Sequence, residues 1–231
     1  SGESAARLLL RQGAGVILYD GNEKLDSRAV EKKITDSAQD GADMPAADLE
    51  IVLGAFPEEM LGELSLAVLS PGVPADLPVV EKMRQLGIPV WGEIELAYVF
   101  GKGEVLAITG TNGKTTTTAL LGEIMNNARK SVFVVGNIGN PYTSVVPRTE
   151  GCSAIVAEIS SFQLETIHTF RPKVSAILNI TPDHLNRHHT MEAYIAAKER
   201  IAENQTEEDV CVLNYEDAVL RGFGEKIKPQ I

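Results

Sequence analysis

Residues 105–121 read VLAITGTNGKTTTTALL. An apolar run ends in a polar turn bracketed by glycines and holding one lysine, and a threonine-rich segment of helical pattern follows. Strand, glycine turn and helix in that order are the setting a phosphate loop requires. The loop would comprise Gly110, Thr111, Asn112, Gly113, Lys114, Thr115 and Thr116. Backbone N–H groups at a helix N-terminus lack partners and carry partial positive charge, so they can grip phosphate oxygens. Lys114 would add a point charge toward the β- and γ-phosphates, and the Thr115 hydroxyl suits Mg²⁺. The spacing is the short G-x-x-G-K-T form, with Ile108 where the longer motif has glycine. A plain glycine-rich turn before a helix is the competing reading.

Beyond this stretch, three further apolar runs each end in a polar cluster. SVFVV (131–135) leads into GNIGNP, AIVAE (154–158) into ISSFQLE, and VSAILNI (174–180) into TPDHLNRHH. Near-continuous apolar strands joined by helices predict a mostly parallel sheet buried on both faces. In such α/β sheets ligands bind beyond the carboxyl ends of the strands, so four polar clusters at four strand ends point to one crevice.

Upstream, strand and helix also alternate. A helix runs to Gly13, followed by strands over 15–19 and 66–69, a helix over 77–86 and a short strand at Pro89-Val90. SPGVP (70–74) reads as a tight turn with Gly72 free to take positive φ. Residues 21–54 are polar and low in aromatics and mark no clear element. WGEIELAYVFGKGE (91–104) reads as a short helix and a glycine-bearing linker. The division expected is residues 1–100 as one α/β domain and 101–231 as a second. Because parallel sheets are built from strand–helix–strand units, a strand is expected before residue 1, and the alternation is cut again near 231.

Composition sets limits. Of 231 residues, 44% are hydrophobic and 23% charged, and the formal net charge is −11. That charge argues against a nucleic-acid surface, which needs clustered Lys and Arg. No apolar run approaches the ~20 residues of a membrane span. Cys152 and Cys211 are isolated, as buried small apolar residues of a reducing cytoplasm would be.

Several polar residues mark the crevice. Glu158 ends a strand beside the loop and could bind Mg²⁺, or be a solvated strand end. His184, beside Asp183, could ligate a metal, touch a phosphate, or be structural. His168, His188 and His189 read as solvated. Taking MEAYIAAKERIAEN (191–204) as a helix, ~100° steps place Lys198 in the middle of the sector holding Met191, Tyr194, Ile195, Ile201 and Ala202. An amine there must snorkel, pair or lose its proton. Asn137, Ser160, Ser161 and Gln163 could orient a polar substrate, or serve as turn and cap residues.

Taken together, TGTNGKTTTT, GNIG, EISSFQLE, ILNITPDHLNRHHTMEAY and AAK resemble the Mur ligases of peptidoglycan synthesis. SSFQLE is similar to the branch of that family that adds D-glutamate, and LYD, SPGVP and GIPVWGEIELAY agree. The resemblance implies a Rossmann-like N-terminal domain holding a UDP-linked substrate and a P-loop ATPase-type central domain, both incomplete. A third domain would be lacking, so these residues alone would not ligate. It implies ATP, UDP-N-acetylmuramoyl-L-alanine and D-glutamate as substrates, two Mg²⁺, and a monomer when full length. Lys114 would neutralise ATP phosphates, and Thr115 and Glu158 would hold one Mg²⁺. His184 and a carbamylated Lys198 would hold the other. Asn137, Ser160 and Gln163 would meet the muramoyl-alanyl substrate, and Asp20, Ser70 and Gly72 its UDP end. A rival of another class, a GTPase-type switch, lacks support because no N-K-x-D or T-K-x-D guanine-reading tetrad occurs.

Overall fold

In the computed structural model, which describes residues 1–35 and 48–231, the order is as follows. The N-terminal portion runs α1 (Gly2–Arg11), β1 (Val16–Asp20), α2 (Ser27–Thr35), β2 (Leu49–Leu53), β3 (Ala67–Leu69), α3 (Pro78–Gln85), β4 (Val90–Gly92) and α4 (Glu93–Phe100). The remainder runs β5 (Glu104–Thr109), α5 (Lys114–Ala128), β6 (Val132–Gly136), α6 (Tyr142–Val145), β7 (Ala154–Glu158), α7 (Ser161–Leu164), β8 (Val174–Ile177), α8 (Leu185–His188), α9 (Met191–Glu199), β9 (Val210–Leu213) and α10 (Ala218–Gly224).

The chain is α/β with parallel pairing in every sheet. β6-β7-β5-β8-β9 form a five-stranded sheet, while β1-β2 and β3-β4 form separate two-stranded ones. The expected four central strands are present. β9 is a fifth, in a segment read only as cut-off alternation. The run 174–180 is strand only to Ile177; beyond it Asn179 bonds the turn at 111–112, while Ile180 stays buried in the core. In the polar stretch at 21–54, α2 and β2 are found, and the part of it at 36–47 lies outside the described residues.

Two patterns explain the central core. β7 is buried at all five positions, as a strand covered on both faces must be. α4 is apolar apart from Glu93 and Glu95, and it is buried from Glu93 to Ala97. Its Ile94, Leu96 and Ala97 share a core with Ala107 of β5 and Ile155 of β7, so the expected short helix is packed interior, and the expected linker follows it, exposed at Lys102 and Gly103. Gly72 is not among the residues with positive φ, so the 70–74 turn does not use its freedom. Cys211 is buried but Cys152 is exposed, contrary to expectation, since it lies in the turn before β7.

Because every strand of the central sheet points the same way, the ends of β5, β6, β7 and β8 share one edge. Register aligns Gly136 and Ile108 on either side of Glu158, and Thr109 with Ile177.

Candidate active site at the sheet edge

The loop after β5 turns on two glycines in left-handed backbone, Gly110 (φ 146°) and Gly113 (φ 84°), the second capping α5. It is pinned to the end of β8. Asn112 N–H donates to Asn179 Oδ1 (2.9 Å), Asn179 Nδ2 donates to the Asn112 carbonyl (3.0 Å), and Thr111 N–H donates to the Asn179 carbonyl (2.9 Å). Thr181 N–H donates to Thr111 Oγ1 (3.0 Å), which also lies 3.0 Å from the Tyr194 hydroxyl. Thr116 is exposed on the first turn of α5.

Two lysines meet on one carbonyl. Lys114 Nζ donates to the Gly110 and Thr111 carbonyls (2.9 and 2.8 Å), and Lys198 Nζ donates to the same Gly110 carbonyl (2.8 Å). Lys198 is only 2% exposed, and its ammonium lies 4.7 Å from the centre of the Tyr194 ring. The amine does not snorkel; it points inward. Burial, and after it the Lys114 charge, pull its pKa down to about 7 against the opposing pull of Asp183.

On the other side of the loop, Thr115 Oγ1 donates to Glu158 Oε2 (2.9 Å) and Asn137 Nδ2 donates to Glu158 Oε1 (2.8 Å). Glu158 is buried, not a solvated strand end. Asn137 can reach it because Gly136 lies alongside at φ 102°, where an added Cβ would come within 2.2 Å of the Glu158 carbonyl oxygen. Thr115 and Glu158 thus offer hard oxygen donors side by side, the donor type Mg²⁺ takes together with substrate phosphates. Among the described residues, no three His, Cys, Asp or Glu side chains group as a metal cage.

His184 is placed differently. Its backbone is left-handed (φ 52°), its ring is exposed, and its Nε2 lies 3.4 Å from Asp183 Oδ2 and its ring 5.0 Å from the Phe162 ring. Among the described residues, none of its hydrogen bonds reaches Lys198 or Glu158. Ser160 and Gln163 form a capping box at the start of α7. Gln163 N–H donates to Ser160 Oγ, while Ser160 N–H donates to Gln163 Oε1. Gln163 and Ser70 nonetheless line one cleft, between the 70–74 turn and α7. Asp20 is exposed at the end of β1, where its carboxylate accepts from Asn22 N–H. Gly72 is exposed too.

Sequence reasoning missed Asn179 and Tyr194 as loop anchors. The signal for Asn179 was an amide interrupting ILNI; Tyr194 gave none, because its ring belongs to the apolar sector. His188 is buried rather than solvated: Nε2 lies 2.9 Å from Ser161 Oγ, and the ring stacks on Phe162. Burial pulls its pKa below the ordinary value, against Glu165. His168 is exposed as expected, though its Nε2 lies 2.9 Å from the Val90 carbonyl.

A family model described as the Mur ligase middle domain matches residues 108–231, which contain all of these contacts from Gly110 onward. A second, described as Mur ligase MurD-like, N-terminal domain, matches residues 1–92. The chain belongs to the Mur ligase family. Among curated relatives, the UDP-N-acetylmuramoylalanine–D-glutamate ligases of Lachnospira eligens and Caldanaerobacter subterraneus are 57% and 48% identical over 231 residues. Both matches span the whole chain but 49% of each relative, so this Mur ligase chain covers about half the length of the relatives it matches. Among solved structures, a UDP-N-acetylmuramate:L-alanyl-gamma-D-glutamyl-meso-diaminopimelate ligase from Neisseria meningitides shares the fold. Its TM-score is 0.58 at 19% identity, over 98% of this chain and 72% of that one. No described helix of this Mur ligase chain is long and apolar enough to cross a membrane.

Proposed function

We propose that this chain carries the UDP-substrate and ATP-binding parts of a ligase that joins D-glutamate to UDP-N-acetylmuramoyl-L-alanine in peptidoglycan synthesis. The division is residues 1–100 and 101–231, and the setting is the cytoplasm. One observation carries the reading: Lys114, Thr115, Glu158 and Lys198 converge on one short loop at a single sheet edge. A carboxylate is a poor acyl donor, so the L-alanyl carboxylate takes the γ-phosphoryl group of ATP. The D-glutamate amine then attacks the acyl phosphate, and phosphate leaves. Three anionic groups must approach one another, which demands preorganised positive charge.

The residues divide this work. Loop N–H groups and Lys114 hold the triphosphate. Glu158, kept in place by Thr115 and Asn137, presents its carboxylate at the loop. Two Mg²⁺, one at Thr115 and Glu158 and one at His184 and carbamylated Lys198, would neutralise phosphate charge. A buried amine that holds its proton weakly is the form that adds carbon dioxide, which supports carbamylation of Lys198 and explains an inward lysine. Gln163 and Ser70, on one cleft, would contact the UDP-linked substrate along with Asn137 and Ser160; Gly72 and Asp20 would lie toward the UDP end.

The test uses the full-length protein with ATP, UDP-N-acetylmuramoyl-L-alanine and single amino acids. Phosphate release that depends on D-glutamate is expected. Turnover with meso-diaminopimelate instead, preference for GTP, or ATP binding without any release would each refute the assignment.

A further inference from the structure

Arg187 lies three residues beyond His184 and has no contact with the phosphate loop or Glu158 among the described hydrogen bonds. Its guanidinium is held through both terminal nitrogens and against one aromatic ring. Nη2 donates to the Val73 carbonyl (3.2 Å) and to Glu165 Oε2 (3.2 Å), Nη1 reaches the Pro71 carbonyl at 3.5 Å, and Cζ lies over the Phe162 ring, 4.1 Å from its centre. Glu165 also faces His188, with Oε1 3.4 Å from Nδ1. The other face of the network is the His184 ring beside Phe162.

Strain sharpens the picture. Short helix α8 is flanked by His184 (φ 52°) and His189 (φ 65°), the two non-glycine residues with positive φ among those described. Such backbones persist only where their surroundings over-determine them. Arg187 is the α8 side chain that reaches across to the turn after β3, through carbonyls of Pro71 and Val73. It lines, with Ser70 and Gln163, the cleft between that turn and α7.

We infer that Arg187 is a positioning residue that ties the Ser70–Pro74 turn to the His184 loop, holding the diphosphate end and the phosphoryl-transfer end of the substrate site in register. What lies at those two ends rests on the ligase reading above; the tie itself is a property of this chain. Only a planar fork can serve two carbonyls and a carboxylate while stacking on a ring, so lysine is a poor substitute.

The experiment compares full-length wild type with Arg187→Met, which keeps the stem but removes the donors, and with Arg187→Lys. Loss of two backbone hydrogen bonds should raise KM for UDP-N-acetylmuramoyl-L-alanine about tenfold. KM for ATP should stay within about twofold, with the lysine variant between wild type and methionine. Hydrogen exchange at the Gly72 and Val73 amides should quicken in Arg187→Met while the 110–115 amides keep wild-type rates. An unchanged KM for the UDP substrate, or a parallel rise for ATP, overturns the inference. If wild type releases no phosphate at all, the ligase reading fails, and exchange at 72–73 decides the tie alone: rates equal to wild type refute it. Should the methionine variant not fold, the lysine variant carries the same comparison.

Discussion

Glu95→Gln isolates the electrostatics of the joint between α4 and the loop at 168–170, because glutamine fills nearly the same volume and opens no cavity. Glu95 is 0% exposed. One carboxylate oxygen accepts from Thr169 N–H (2.7 Å) and the Thr169 hydroxyl (2.5 Å), the other from His168 N–H (2.8 Å) and Phe170 N–H (3.0 Å). Four donors converge on two oxygens, so an amide NH₂ must face donors whichever way it turns. The cheaper orientation puts nitrogen toward Thr169, whose hydroxyl can rotate to accept one amide hydrogen. The other amide hydrogen and the Thr169 N–H are left without acceptors, together about 1–3 kcal/mol because Thr169 itself is exposed. The remaining bonds lose their charge assistance, which brings the total to about 2–4 kcal/mol. For a chain of this size that corresponds to a fall in Tm of roughly 5–15 °C. Scanning calorimetry of wild type and variant at neutral pH measures it directly. A fall of less than about 2 °C would mean that the joint is wet or that α4 is not clamped by this carboxylate, and the account of the core above would be wrong.

Gly136→Ala should destabilise by at least about 2 kcal/mol and weaken ATP binding, since Cβ would strike the Glu158 carbonyl from a left-handed backbone; equal chemical-denaturation midpoints for variant and wild type would contradict this. For Asp209, 1% exposed, burial alone would raise the pKa, but the Arg171 bond, Thr206 N–H and Lys173 outweigh it and hold it at about 2. A depressed carboxylate contributes stability that is complete above its unfolded pKa of about 4 and is lost as pH falls through about 2. Arg171 and Lys173 are 35% and 46% exposed, so screening limits that contribution to about 1–2 kcal/mol. Urea midpoints of wild type and Asp209→Asn should therefore converge between about pH 4 and 2, and a gap constant with pH would contradict the pairing. In the full-length enzyme Lys198→Ala and Lys198→Arg should both abolish phosphate release, arginine being unable to form a carbamate; near-normal turnover by Lys198→Arg would remove the carbamate from the mechanism.

Four strands of the central sheet were legible because apolar runs end against polar residues, β8 alone stopping short of its run at Ile177, and parallel pairing gathers those ends on one edge. The loop, Glu158 and Asn137 follow from that rule. What was illegible is partly local and partly across long separations. Ser160 and Gln163, read as substrate contacts or caps, form a capping box, which three-residue spacing permits but does not demand. β2 lies in a polar stretch, and its register comes from β1 rather than from its own periodicity. His188 looked solvated because its neighbours in sequence are polar, whereas its neighbours in space are Phe162, Tyr194 and Ser161.

The contrast between Lys198 and the acidic pair on α4 shows where the limit lies. Lys198 stood out because its helix has a polar face for comparison, so a charge on the apolar face is conspicuous. α4 has no such face: Glu93 and Glu95 sit two residues apart, about 200° around a helix otherwise apolar. A helix without a polar face is an interior helix, and α4 is buried through Glu93–Ala97 with Val99 exposed near its far end, so neither carboxylate is solvated and both need donors from elsewhere. Glu93 takes them from Thr143 N–H and hydroxyl, both at 2.7 Å, and burial still raises its pKa. Glu95 takes them from residues 168–170. The rule that found the lysine therefore implied two buried carboxylates as well, but it could not name donors that lie 50 and 73–75 residues away. Those partners are fixed by the packing of α4 against α6 and the loop at 168–170, a fact of the folded core rather than of any local pattern.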